Sequence, residues 1–137
     1  MDALVVLIPL MPFLASMLIG AGLFVGFIKG EPGESTTSII AVWSISMSVL
    51  LALVLLGADL GGKNAGNFMG GYWLSSDNAT IRLDFVTSGF NVRVAALFAL
   101  LLMLVMKFSV NYLHREAGFH RFFCFLSLFS TAIFLIV

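Results

Sequence analysis

Apolar positions in this chain do not alternate with polar ones; they run together in four long stretches separated by short polar breaks. A helix rises about 1.5 Å per residue, so about 20 apolar residues cross a hydrocarbon core of roughly 30 Å. The stretches at 3–28, 36–60, 87–113 and 119–137 all meet that length. They predict an all-α membrane protein with four transmembrane helices in a single membrane domain over 1–137. Pro9 and Pro12 stand near the start of the first stretch, where a missing backbone donor costs less than in mid-helix. Pro32-Gly33-Glu34-Ser35-Thr36 has the chemistry of a helix start before the second. The N-terminal residues Met1-Asp2-Ala3 carry no positive charge and the first apolar run exceeds a signal-peptide core, so the stretch reads as a retained span. The fourth stretch stops in Phe134-Leu135-Ile136-Val137 without a polar flank, which raises the expectation of a fragment or a split gene product.

The long polar break at 61–85 has a different pattern. Its opening, Gly61-Gly62-Lys63-Asn64-Ala65-Gly66-Asn67, reads as flexible loop. Gly71-Tyr72-Trp73-Leu74 and Ile81-Arg82-Leu83-Asp84-Phe85 then flank a turn at Asp77-Asn78, and the period-two apolar residues of the second segment predict a small β-hairpin between helices 2 and 3. Tyr72 and Trp73 suit the headgroup zone, and Tyr72, Trp73, Arg82 and Asp84 are candidates for contact with a neighbour. Asn78-Ala79-Thr80 is formally a glycosylation sequon.

Composition narrows the function classes. The chain is 61% apolar and 10% charged, and its seven basic and seven acidic residues cancel. With no basic face there is nothing for nucleic acid to bind. Two histidines and a single cysteine, Cys124, leave no material for a metal centre, a disulfide or a catalytic triad, so no catalytic residue, metal or cofactor is expected. Loop charge sets the orientation. Lys107, Arg115 and Arg121 outnumber Glu116 around the break between spans three and four, whereas Asp59, Asp77 and Asp84 outnumber Lys63 and Arg82 around the hairpin. The positive-inside rule then puts the short loops in the cytoplasm and the hairpin and both termini outside, in a bacterial inner membrane.

Away from the span ends, where Asp59 and Arg121 stand, charge inside a span is confined to Arg93 and Lys107. Fourteen positions at about 100° each return them to nearly one helix face, roughly 20 Å apart, and Asn111 and His114 extend that stripe. The four are candidates for the wall of a hydrated ion path. The competing reading is that each cation lies near a helix end and snorkels to its own interface. Gly20, Gly22, Gly26 and Gly30 with Ser16 are small residues on span one that include two spacings that let another helix approach closely. Ser44, Ser46 and Ser48 on span two are read as bonding their own helix carbonyls. Arg115, Glu116 and Arg121 in the short loop are candidates for contact with headgroups or a partner.

Tyr112, Glu116, Gly118 and the run Arg121-Phe122-Phe123 occur in that order in the loop after the third span. The string resembles the antiporter-like, proton-translocating membrane subunits of respiratory complex I, closest to the largest of them, and the related subunits of cation/proton antiporters and inorganic-carbon uptake complexes. Leu7-Ile8-Pro9-Leu10, the hairpin with Tyr72-Trp73, and Leu83-Asp84 ahead of Thr87 fit the same family, although Phe85 and Val86 depart from its pattern. The resemblance implies about fourteen helices in a full member, with the principal proton-handling glutamate and lysines on helices beyond Val137. The expected function is therefore that of a membrane subunit, or its N-terminal piece, in a proton-translocating NADH:quinone oxidoreductase-like complex, at most non-catalytic, scaffolding an ion path that partner helices complete. A subunit of a cation/proton antiporter or carbon-uptake complex, and a structural subunit with no ion role, are the alternatives. The partners expected are other membrane subunits, including helices after Val137, and lipid. The residues do not distinguish proton, sodium and bicarbonate coupling.

Overall fold

The structure, a computed structural model, describes residues 2–62, 68–76, 79–85 and 88–137. Four helices and one hairpin follow in the order α1 (Asp2–Val25), α2 (Gly30–Leu60), β1 (Phe68–Ser76), β2 (Ala79–Phe85), α3 (Gly89–Tyr112) and α4 (Phe119–Ile136). All four helices are long and apolar enough to cross a membrane. The chain is an integral membrane protein of all-α class with a small hairpin between α2 and α3. Lys63 and the rest of the loop at 63–67, the turn at Asp77-Asn78, and Val86 and Thr87 lie outside the described residues.

Helix boundaries follow local chemistry. Gly26 ends α1 in the left-handed conformation at φ 77°, where glycine meets no Cβ penalty, and the Phe27 and Ile28 amides turn back to the Gly22 carbonyl. Gly30, at φ 62°, then opens α2 ahead of the expected start at Thr36. Pro32 is tolerated there because the first turn of a helix has no acceptor for its missing N–H, and Glu31 suits the positive end of the helix. The extra turns lengthen α2 to 31 residues, about 46 Å, longer than the roughly 30 Å of a hydrocarbon core. Ser88 caps α3, its hydroxyl accepting from the Asn91 amide.

The glycine spacing of α1 has a different use from the one expected. Gly26 and Gly30 shape the turn, and Gly22 is filled from that turn, since a Cβ there would sit 2.5 Å from a terminal carbon of the buried Ile28. Gly20 is the glycine of α1 that faces another helix, since a Cβ added to it would stand 3.6 Å from Cys124 Sγ on α4.

Pro9 and Pro12 lie within α1 beyond its first turn, so their missing donors are not at a free helix end. Pro12 removes the amide that would bond the Ile8 carbonyl four residues earlier. That carbonyl instead accepts the Ser48 hydroxyl of α2 at 2.8 Å. Ser48 is 3.3 Å from its own Ser44 carbonyl, so its main bond crosses between helices, while Ser44 bonds Ala41 on its own helix. The proline and the serine are two halves of one device that joins α1 to α2.

The core is apolar at its centre, with Ile19, Ile45, Ala99, Met106 and Phe123 wholly buried. Hydroxyl side chains thread it, including Thr37, Ser48, Ser127 and Ser130. In packing order the helices run α4, α1, α2, α3, and α3 and α4 touch little although only residues 113–118 join them. Their outer surfaces expose Phe108, Leu104, Phe125 and Phe129, as a lipid-immersed bundle requires. In the hairpin, β1 and β2 pair antiparallel with Tyr72 opposite Arg82 and Met69 opposite Asp84, and the register shifts on both sides of Tyr72.

Candidate functional site

Each end of the bundle carries an acidic side chain that ties two helices together. At the hairpin end, Asp59 in the last turn of α2 has a mostly buried side chain whose Oδ2 lies 3.5 Å from Arg93 of α3. The carboxylate sits over the first turn of α3, since a Cβ added to Gly89 would meet Asp59 Oδ1 at 2.8 Å. An acid beside a helix N-terminus is favourably placed, and Gly89 is what lets it come so close. The Arg93 side chain is 63% exposed.

The short-loop end is more elaborate. Glu34, three residues before Thr37 on the same face of α2, is only 7% exposed. One of its carboxylate oxygens, Oε2, lies 2.8 Å from His114 Nδ1, and the Arg115 amide donates to both oxygens at 3.2 and 3.3 Å. The carboxylate accepts only, so His114 Nδ1 carries the proton. Arg115 holds φ 68°, an uncommon conformation for a residue with a Cβ, and the amide bond to Glu34 offsets its strain. Its guanidinium Nε also lies 3.6 Å from Glu31 Oε1, but both side chains are well exposed and such a pair contributes little.

His120 makes a second clasp beside the first. Its Nε2 is 3.2 Å from the Gly30 carbonyl and its Nδ1 is 2.8 Å from the wholly buried Thr37 hydroxyl. The carbonyl requires a donor, so Nε2 bears the proton and, in the neutral ring, Nδ1 accepts from Thr37. Gly33 leaves room for the ring, because a Cβ there would stand 3.3 Å from His120 Cε1. The first turns of α2 are thus joined to the α3–α4 loop and the start of α4 by two imidazoles, one buried carboxylate and one hydroxyl, an arrangement that fixes these segments against one another at one end of the bundle. Among the described residues, no group of three His, Cys, Asp or Glu side chains is arranged to hold a metal.

The residues singled out by sequence are divided by the structure. Arg93 and His114 are each engaged by a carboxylate, whereas Lys107 and Asn111 are exposed on the outer surface of α3. None of the four enters the interior of the bundle. Arg115 turns inward through its backbone, while Glu116 and Arg121 are exposed. Tyr72, Trp73, Arg82 and Asp84 lie on the two strands, and their side chains fall outside the described residues. Glu34, Thr37 and His120 are the participants that sequence reasoning missed. The one available signal was the acid and hydroxyl three positions apart at the head of an apolar span.

The string that forms half of this clasp also lies in the segment matched by a family model. Residues 73–123 match the model described as NADH-ubiquinone oxidoreductase (complex I), chain 5 N-terminus. The chain is similar to the N-terminal part of an antiporter-like membrane subunit. Its relatives include NAD(P)H-quinone oxidoreductase subunit 5 of organellar chromatophore 1 of Paulinella chromatophora, 26% identical over 129 residues, with 94% of this chain and 19% of the relative covered. The chloroplastic subunit 5 of Marchantia polymorpha is 26% identical over 125 residues, covering 91% and 18%. That of Physcomitrium patens is 28% identical over 131 residues, covering 92% and 17%. The chain therefore spans less than a fifth of the length of these relatives.

Proposed function

We propose that this chain serves as a membrane subunit, or the N-terminal piece of one, in a proton-translocating NADH:quinone oxidoreductase-like complex, where it forms one wall of an ion path completed by partner helices. The observation that carries the reading is the position of charge in the bundle. Among the described residues, Lys107 and Asn111 look outward from α3, Arg93 and His114 are held at opposite ends, and the interior offers hydroxyls between apolar layers. An ion crossing this interior alone meets several kcal/mol of unfavourable transfer, so the other wall must come from elsewhere. Relatives described as NAD(P)H-quinone oxidoreductase subunit 5 support the redox-linked complex over a separate antiporter or carbon-uptake role. In this reading 1–137 acts as one membrane unit, the clasped loops face the cytoplasm of a bacterial inner membrane, and the hairpin and both termini lie outside, with Tyr72, Trp73, Arg82 and Asp84 meeting a neighbouring subunit.

Reconstitution tests the proposal. The purified chain in liposomes under an imposed pH gradient should show no proton or sodium flux above empty vesicles, and the assembled complex should lose coupled proton movement when the chain is removed. Robust flux from the chain alone overturns the role as one wall of a shared path.

A further inference from the structure

The exposed stripe of α3 repeats at alternating spacings of four and three. Arg93, Leu97, Leu100, Leu104, Lys107 and Asn111 follow one another along one face and all are exposed, while the face carrying Val92, Ala96, Ala99 and Met106 is buried. Such spacing is the seam along which two helices pack at a small crossing angle, and a lone Lys or Asn in the seam fixes its register. The two cations of the stripe differ in their surroundings. Arg93, in the first turns of α3, reaches Asp59 at 3.5 Å. Lys107 stands about 7.5 Å along the axis before the last residue of the helix, Tyr112, and neither Lys107 nor Asn111 makes a hydrogen bond or ion pair among the described residues. Cα–Cβ bonds tilt toward the helix N-terminus, so a side chain in the first turns leans toward its own interface and one in the last turns leans back toward the bilayer centre. Snorkelling is therefore assisted at Arg93 and opposed at Lys107.

We propose that this stripe packs against a transmembrane helix of another polypeptide, and that the helix carries an aspartate or glutamate level with Lys107. A cation on the face of a membrane span is costly unless paired, and a carboxylate is the group that pairs it. Asn111, one turn further on the same face, offers an amide to the same neighbour, and Leu97, Leu100 and Leu104 supply the apolar part of the seam. A second copy of this chain does not fit. All seven of its acids, Glu34 and Asp59 among them, stand at span ends or between spans, so none is level with Lys107. An anionic lipid does not fit either, because its phosphate lies in the headgroup layer, opposite to the direction in which the Lys107 side chain leaves the helix. The inference rests on the reading that partner helices stand beside this chain, and not on proton movement along them.

In the assembled complex, benzoylphenylalanine placed at Leu104, one turn before Lys107 on the stripe, should photo-cross-link to a membrane polypeptide other than this chain. In the wild type, the apolar reagent dicyclohexylcarbodiimide should couple the Lys107 amine to an Asp or Glu side chain of that same polypeptide, and mass spectrometry of the digested complex should locate the new amide within a transmembrane segment. Lys107→Gln should abolish the coupling and leave the photo-cross-link from Leu104, which reports that the two helices still meet. A polypeptide cross-linked at Leu104 without coupling of Lys107 would overturn the ion pair while leaving the partner helices in place. Cross-linking of Leu104 to lipid alone would overturn both. Coupling of Lys107 to an acid of this chain, to a second copy of it or to a lipid carboxyl would also overturn the proposal.

Discussion

Ser48→Ala isolates the bond that joins α1 to α2, because the hydroxyl at this position supplies what Pro12 withholds. The Ile8 carbonyl is in a buried residue, accepts from Ser48 at 2.8 Å, and has no amide four residues on. Side-chain hydrogen bonds between membrane helices average about 0.6 kcal/mol and reach about 1.7. The upper part of that range applies here, since truncation leaves a buried acceptor with no alternative donor, a situation that costs about 1–3 kcal/mol. We expect a loss of about 1.5 kcal/mol. In a Pro12→Ala background the new amide can bond Ile8, and Ser48→Ala should then cost only about 0.5 kcal/mol, a coupling of about 1 kcal/mol. Pro12 is itself buried, so Pro12→Ala also changes packing, but that change is common to both arms of the cycle and cancels. Reversible unfolding of the four proteins in bicelles, followed by steric trapping, measures the terms. Equal costs of Ser48→Ala with and without Pro12 would refute the pairing.

The clasp makes a second prediction: Glu34→Ala should destabilise the bundle by about 1–3 kcal/mol in the same assay, and adding Arg115→Gly should recover about 1 kcal/mol by removing the left-handed strain that the carboxylate offsets. Lys107→Met should impair coupled ion movement in the assembled complex while leaving complex abundance unchanged; normal flux at normal abundance would assign Lys107 to snorkelling. In a Cys124→Ala background, single cysteines replacing Ala117 or Gly118 should react with an impermeant thiol reagent only from the cytoplasm, and those placed at Gly61 or Gly62 only from outside. The reverse pattern would invert the orientation.

Sequence alone determined the class of this protein, because the length and apolarity of a span are local properties and the bilayer thickness is an external ruler. The hairpin was legible for a similar reason: an aromatic segment and a period-two segment on either side of a turn pair with their nearest neighbour in the chain, and β1 and β2 pair in that manner. The family resemblance rested on the order of residues in one loop. What the residues did not disclose is which of them meet across the bundle. Glu34 read as part of a helix start, yet it is a buried acceptor, because the chain folds His114 and Arg115 back over the first turns of α2 from 80 and 81 positions away. Ser48 read as a satisfied hydroxyl of its own helix, yet its partner is a carbonyl orphaned by Pro12 on another helix, 40 positions earlier. The stripe from Arg93 to His114 was read from helical periodicity; α3 ends at Tyr112, before His114, and periodicity does not say whether a face looks into a bundle or away from it. That is decided by the neighbours: α2 covers the opposite side of α3, where Val92, Ala96, Ala99 and Met106 are buried, and so leaves Lys107 and Asn111 outside.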